Sequence, residues 1–323
     1  MSILPFNCLS DDDFVLTLND DGQFRSVECL SNMRFNIFDS NSCRYIQDVD
    51  PDNYLINNLK YDKDNCKYYC GSDVLGACDV SSSDKFSMLS LNINSLPLHF
   101  DSFSYMIEEE LQSSFDIIAL CETKLDDNIT ELYNIENYTM FVNNNSRRSG
   151  GLAIYIRSLH SNLKQRTDLS YKFDYLESLF VEVPQGSKNV IIGVVYRRPG
   201  TPTESFLNKM SDILNVISNE NKICYLMGDF NLDLLKHNSS QPVFDFATMM
   251  TSQNFFPSIN IPTRVTDKSA TIIDHVWSNN IGDISNSGVI FSHFPDHFPV
   301  FSCFKKHSFL KSNEKFDFMP RFL

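Results

Sequence analysis

From residue 85 onward the apolar positions fall into two rhythms. "KFSMLSLNIN" (85–94), "DIIALCET" (116–123), "SGGLAIYI" (149–156), "YLESLFVEVP" (175–184), "NVIIGVVYRRP" (189–199), "KICYLMGDFN" (222–231), "ATIIDHVWS" (270–278) and "SGVIFSHFPDHFPVFSCF" (287–304) alternate or stay apolar over short runs, which predicts strands. Between them the spacing lengthens. "FDSFSYMIEEELQSS" (100–114) sets Phe103, Ile107 and Leu111 four apart and predicts a helix. "TPTE" (201–204) reads as a helix start with Thr201 as N-cap, Pro202 at N1 and Glu204 at N3. Phe206, Met210, Ile213, Leu214 and Ile217 then mark its buried face. Strands alternating with helices, some strands apolar on both faces, predict an α/β fold.

Residues 1–84 break this pattern. Their apolar residues show no sustained period, and we read them as an extension, loosely folded or packed on the rest of the chain. A folded domain is expected over 85–304, and 305–323 as a basic tail.

Charge sharpens the division. The net of −14 argues at first against a nucleic-acid partner. Residues 1–84 hold 6 Lys/Arg against 15 Asp/Glu, a net of −9, while 85–323 hold 21 against 26, a net of −5. Most of the imbalance lies outside the domain, so charge neither supports nor excludes nucleic acid. With 42% hydrophobic residues a sizeable core is within reach, and no stretch approaches the roughly 20 apolar residues of a membrane span. The N-terminal residues lack the pattern of a signal peptide, so we expect an intracellular chain with its nine cysteines as reduced thiols. "CKYYC" (66–70) followed by Cys78 hints at a metal site but lacks the repeated paired spacing of zinc ligands.

The chemistry gathers where the apolar runs stop. Asn92 and Asn94 close the first run, Glu122 the second, Tyr196 the "VVY" run, and Asp229 and Asn231 follow "CYLMG". Asp274 interrupts "TIIDHV", and "PDH" supplies Asp296 and His297. Ligand sites of α/β proteins collect at strand ends. Carboxylates that hold Mg²⁺, a His or Asp that takes a proton from water, and amide or phenol donors for phosphate oxygens form a kit for phosphate chemistry. Each residue singly also reads as a turn former, a cap or a packed side chain.

The ordered series "SLNIN", "LCETK", "SGGLAIYI", "VVYRRP", "MGDFNLDL", "PTRVTDKSATIIDHVWS" and "PDHFPVF" resembles the endonuclease/exonuclease/phosphatase family over about residues 86–304. More narrowly, it resembles the apurinic-type endonuclease domain of non-LTR (LINE-like, jockey/CR1-like) retrotransposons. The resemblance implies a four-layer α/β sandwich, two mainly antiparallel sheets packed face to face with helices outside, and a site at one end. It implies a Mg²⁺-dependent (or Mn²⁺-dependent) DNA endonuclease that nicks one strand and leaves a 3′-hydroxyl. Glu122 becomes the principal metal ligand, with Asn92 in the metal and phosphate network and Asp296 as a further metal-site residue. Tyr196 contacts the phosphate, Asp229 orients or deprotonates water, Asn231 donates to the phosphate, and His297 touches it with Asp274 as its orienting acid. Two positions depart from the family. Asn94 stands where repair-type members usually have Asp, and Pro295 replaces the usual Ser before the Asp-His pair, removing a hydroxyl and a backbone N–H.

The sequence carries no reverse-transcriptase signature, so we expect a fragment of an element's polyprotein or a gene derived from one, acting in the nucleus. Arg147, Arg148, Arg197 and Arg198 fall in turns, as tracks for DNA phosphates or as solvated residues, and Asn94 is a further substrate candidate. No small-molecule cofactor is expected. Two rivals remain: another phosphoesterase of the family, and an inactive relic that binds without cutting.

Overall fold

The period-two stretches become two seven-stranded sheets whose apolar faces meet. The computed structural model describes residues 14–18, 24–29, 66–78 and 85–305, apart from 113–114, 146–148, 186–187, 266–268, 293 and 295. The first sheet runs, edge to edge, through Phe256–Pro257, Asp274–Ser278, Cys224–Asp229, Lys188–Tyr196, Leu176–Gln185 and Lys164–Gln165, with Lys172–Phe173 also pairing onto Leu176–Gln185. The second runs through Cys66–Tyr69, Ile284–Ile290, Val300–Lys305, Lys85–Asn92, Ile117–Cys121, Leu152–Arg157 and Tyr138–Asn143.

Most pairs are antiparallel, and the parallel ones explain where helices lie. Lys188–Tyr196 pairs in parallel with Cys224–Asp229, so the chain must cross over, and the helix Thr203–Asn219 makes that crossing. Lys85–Asn92 pairs in parallel with Ile117–Cys121 across the helix Leu96–Tyr105 and the π-helical turn Met106–Glu110. Three apolar layers result. Met88, Ala119, Ile154, Val181, Ile192, Val194 and Met227 fill the space between the sheets. Phe206, Met210, Ile213, Leu214 and Ile217 press onto the outer face of the first sheet, as their spacing predicts. Phe103, Ile107 and Leu111 do the same for the second. The architecture is the four-layer α/β sandwich.

Two local expectations shift. Thr201 does not cap its helix, which starts at Thr203 after Pro202; the Thr201 hydroxyl donates instead to the Arg198 carbonyl at 2.7 Å. The helix expected over 100–114 begins at Leu96, with Pro97 in its opening turn, rather than near residue 100. A spacing of four is longer than an α-helical turn, and the wider π turn takes up the drift that would carry Leu111 off the buried face.

Part of the acidic extension joins the sandwich. Cys66–Tyr69 adds in parallel to the edge strand Ile284–Ile290, and the helix Gly71–Cys78 buries Val74 and Cys78 beside it. Tyr68 donates to the Pro262 carbonyl at 3.0 Å and so ties this edge to the loops of the first sheet. The cysteine-rich stretch thus supplies Cys66 and Cys78 to the core. Residues 306–323, where the basic tail was expected, lie outside the described residues. Among the described residues no helix is long and apolar enough to cross a membrane.

Candidate active site

Strand register alone lines up three of the expected residues. Tyr196 pairs with Asp229 across the parallel ladder, and Asp229 pairs with Asp274 across the antiparallel one. Directly paired residues point the same way, and Val194, Met227 and Val276, two positions along, belong to the inter-sheet core. The polar side chains therefore continue the inner face at the end where apolar filling stops. Asn92 does the same in the second sheet, and Glu122 follows the last residue of the neighbouring strand.

The turns that hold these residues are special. Gly228, at φ +134°, lies where a Cβ would stand 2.0 Å from the Val195 carbonyl oxygen, so only glycine allows the "GD" step beside Tyr196. Asn94, Glu122 and Asn231 take left-handed backbones, φ 46°, 54° and 47°, at the ends of three strands. Such turns let the chain leave the sheet while the preceding side chains still point inward.

A single amide stitches the two sheets together. Asn92 Nδ2 donates to Glu122 Oε1 and to Asp229 Oδ2, each at 2.9 Å. The Asn94 N–H donates to Asn92 Oδ1 at 3.1 Å, fixing which way the amide faces. Asp229 is 1% exposed and accepts the Asn231 N–H at 2.9 Å. Burial and the nearby Asp274 charge push its pKa up to about 7, against the pull of His297, Asn92 and Asn231. Tyr196 lies beside Glu122; burial first, and then the charges of Glu122 and Asp229, hold its phenol protonated.

Beside this network, His297 Nδ1 donates to Asp274 at 2.8 Å, and Thr263 Oγ1 donates to the same carboxylate at 2.8 Å. Burial opposes charge on the His297 ring, but Asp274, with help from Asp229, lifts its pKa to about 9. Potential ligand atoms of Asp229, Asp274 and His297 all lie within 4.8 Å of one another. Asp274 is committed to His297 and Thr263. The oxygens best suited to a hard divalent cation are those of Glu122 and Asp229, toward which Asn92 turns its Nδ2 and away from which it turns its Oδ1. A buried Asp229 and a partly buried Glu122, with few cations around them, fit such an ion, because it neutralises charge the protein leaves uncompensated.

Other expected residues are placed differently. Arg197 turns inward at 6% exposure and donates to the carbonyls of Asn231 (3.2 Å) and Thr201 (2.7 Å) and to Thr203 Oγ1 (3.0 Å), above the Phe206 ring. This corrects its assignment as a DNA-facing residue: its guanidinium is committed to the turn after the Tyr196 strand. Asn231 Nδ2 donates to the Arg197 carbonyl at 2.8 Å, which leaves its second N–H for another acceptor. Arg198 is a third exposed, near Ser149 and Glu177. Asn94 Oδ1 accepts from the Lys124 ammonium. Asp296 faces outward, 3.8 Å from Arg264, and is not brought into the acid–histidine group. Arg147, Arg148 and Pro295 lie outside the described residues.

Sequence reasoning passed over Thr263 and Glu177. Glu177 pairs with Tyr196 and extends the polar row to four strands. Its signal was present: in "LESLFVEV" it falls on the inward phase with Leu179, Val181 and Val183.

Residues 89–295 match the Endonuclease/Exonuclease/phosphatase family. No curated protein matches the chain. Among solved structures, the endonuclease domain of TRAS1, a telomere-specific non-LTR retrotransposon, superposes with a TM-score of 0.53 at 11% identity, over 69% of this chain and 99% of that one. The Xenopus laevis APE2 catalytic domain gives 0.53 at 17% identity, over 68% and 93%. The Neisseria 3′ phosphatase NExo bound to product DNA hairpin gives 0.53 at 15% identity, over 68% and 99%. At these identities the superpositions speak for the fold, whereas the sequence match covers well over half the chain. By that match the chain belongs to the Endonuclease/Exonuclease/phosphatase family.

Proposed function

We propose that this chain is a Mg²⁺-dependent (or Mn²⁺-dependent) DNA endonuclease that nicks one strand and leaves a 3′-hydroxyl. The observation that carries this reading is the Asn92 amide shared by Glu122 and Asp229, with the His297–Asp274 pair beside it. When bound, the cation screens the phosphodiester's negative charge and polarises it.

The side chains supply the rest. Asp229, held by Asn92 and the Asn231 N–H, orients the attacking water and takes its proton. His297 keeps Nδ1–H on Asp274, so its Nε2–H faces the phosphate, and the charged ring stabilises the oxygens as negative charge builds. The Tyr196 phenol and the second N–H of Asn231 donate to the same phosphate. As the water oxygen bonds to phosphorus and the bond from phosphorus to the 3′ oxygen breaks, the phosphate stays with the 5′ end and the 3′ oxygen takes up a proton from solvent and leaves as the hydroxyl.

DNA as substrate draws support from the neighbours, one of which was solved with product DNA. Origin in a non-LTR element, and with it a nuclear site of action, rests on the motif order and the TRAS1 likeness. Arg198, with Arg147 and Arg148 by sequence, would track the DNA backbone.

Nicking of supercoiled plasmid by the purified chain in Mg²⁺, beside EDTA and Asp229→Ala controls, tests the reading. Metal-dependent nicking that disappears in the variant supports it. A well-folded chain that never nicks at high enzyme concentration sinks it and leaves binding without cutting as the better account.

A further inference from the structure

Glu177 is a buried acid, 2% exposed, for which the proposed chemistry has no use. From the first sheet it reaches across to the second. Its Oε2 accepts the Gly151 N–H at 2.7 Å, its Oε1 accepts Asn145 Nδ2 at 2.7 Å, and Arg198 lies 3.8 Å away. Gly150 is moulded onto the carboxylate: at φ +67°, a Cβ there would stand 2.1 Å from Glu177 Oε1.

The same two glycines face a second way. The Gly151 carbonyl accepts the Thr123 N–H at 3.0 Å, and the Gly150 carbonyl accepts the Lys124 N–H at 2.9 Å. Thr123 and Lys124 directly follow Glu122. Glu122 and Lys124 both hold left-handed backbones, φ 54° and 52°, which non-glycine residues keep only where their surroundings impose them. We infer that Glu177 is a positioning residue for the cation site: it clamps Gly150–Gly151 of the opposite sheet and through their carbonyls sets the turn that aims Glu122. This rests on Glu122 being the cation ligand of the proposed function.

Mn²⁺ titrated into the full chain, followed by loss of the free-ion EPR signal, reads the site without turnover. Groups that orient a ligand typically matter by about 10- to 100-fold in metal affinity, and Glu177→Ala is expected in that range. Glu177→Gln keeps an oxygen for the Gly151 N–H and is expected to bind close to wild type. Should the alanine variant not fold, Glu177→Asp, which draws the carboxylate back by one methylene, is expected between the two. Amide hydrogen exchange at Thr123 and Lys124 reads the clamp itself and should speed up in Glu177→Ala but not in Glu177→Gln. Arg166→Ala, which breaks an ion cluster further along the same sheet, should change neither readout despite its loss of stability. If wild type takes up no Mn²⁺, the cation reading fails and the exchange rates still judge the clamp. Unchanged Mn²⁺ affinity in Glu177→Ala overturns the positioning role, and unchanged exchange at Thr123 and Lys124 overturns the clamp.

Discussion

The strand Leu176–Gln185 carries two buried glutamates whose surroundings act in opposite directions. Burial raises the pKa of both. At Glu177 the compensation is an N–H, an amide and an arginine 3.8 Å off, and the pKa stays raised. At Glu182, five residues along, Asn189, Lys222 at 2.9 Å and Arg166 at 3.5 Å outweigh burial, and the pKa falls. Asp168 and Glu220, bound to the same Arg166, are lowered too. One end of the sheet closes its charge balance with its own cations. The other leaves Asp229 and Glu177 raised and relies on amides and one histidine. The cation and phosphate site proposed at that end would need such an imbalance, whereas a structural ion cluster abolishes it.

The sharpest way to break the contrast is Asp229→Asn. Loss of the base is expected to cut nicking about 10²- to 10⁴-fold. Because Asp229 is crowded by Asp274, thermal stability at pH 7 should hold or rise, as a melting curve beside the plasmid assay would show.

Next come two histidines with opposite signs. His297, lifted to about 9, adds stability that is complete below its unfolded pKa near 6.5 and is lost as pH rises through 9. His275, buried against Phe230 and pushed down to about 4, adds stability present above 6.5 and lost as pH falls from 6.5 toward 4. Each is expected to move unfolding free energy by roughly 3 kcal/mol over its window. Asp229, raised to about 7, contributes stability lost as pH climbs from about 3.9 to 7 and so offsets His275 on the acid side; urea midpoints should stay nearly level from pH 4 to 6.5 and fall above it. Asp274→Asn should flatten the alkaline fall, and His275→Gln should unmask the Asp229 contribution as midpoints that fall from pH 4 to 7.

At the compensated end, Arg166→Ala leaves Glu182 to Lys222 and Asn189 and removes the cation from Asp168 and Glu220; it should cost about 2 kcal/mol, with nicking at temperatures well below melting unchanged. The smallest effect is expected of Arg198→Ala. If Arg198, a third exposed, touches phosphate as proposed, its loss should weaken DNA binding only a few-fold and lower the salt slope by about one ion.

Legibility in the sequence follows the same division. Period two set the inward phase of each strand, so the polar residues ending each run could be read as one end of a sandwich before any pairing was known. The buried face of the helix Thr203–Asn219 was equally plain. Side-chain direction in turns was not. Arg197 and Arg198 are neighbours with the same composition signal, yet one is spent on carbonyls within the fold and the other stands at the surface. Nor could local propensity show Thr263 reaching Asp274, or which of the two buried acids on the strand Leu176–Gln185 is compensated, since both depend on partners distant in sequence.

The strand Cys66–Tyr69 has a consequence in time. Its ladder joins Cys66 to Ser287, roughly 220 residues apart, which makes it among the most non-local contacts of the sandwich and entropically slow to close. During synthesis this stretch leaves the ribosome long before its partner exists. It must wait unpaired, beside helix Gly71–Cys78, until the strand Ile284–Ile290 emerges and offers its edge.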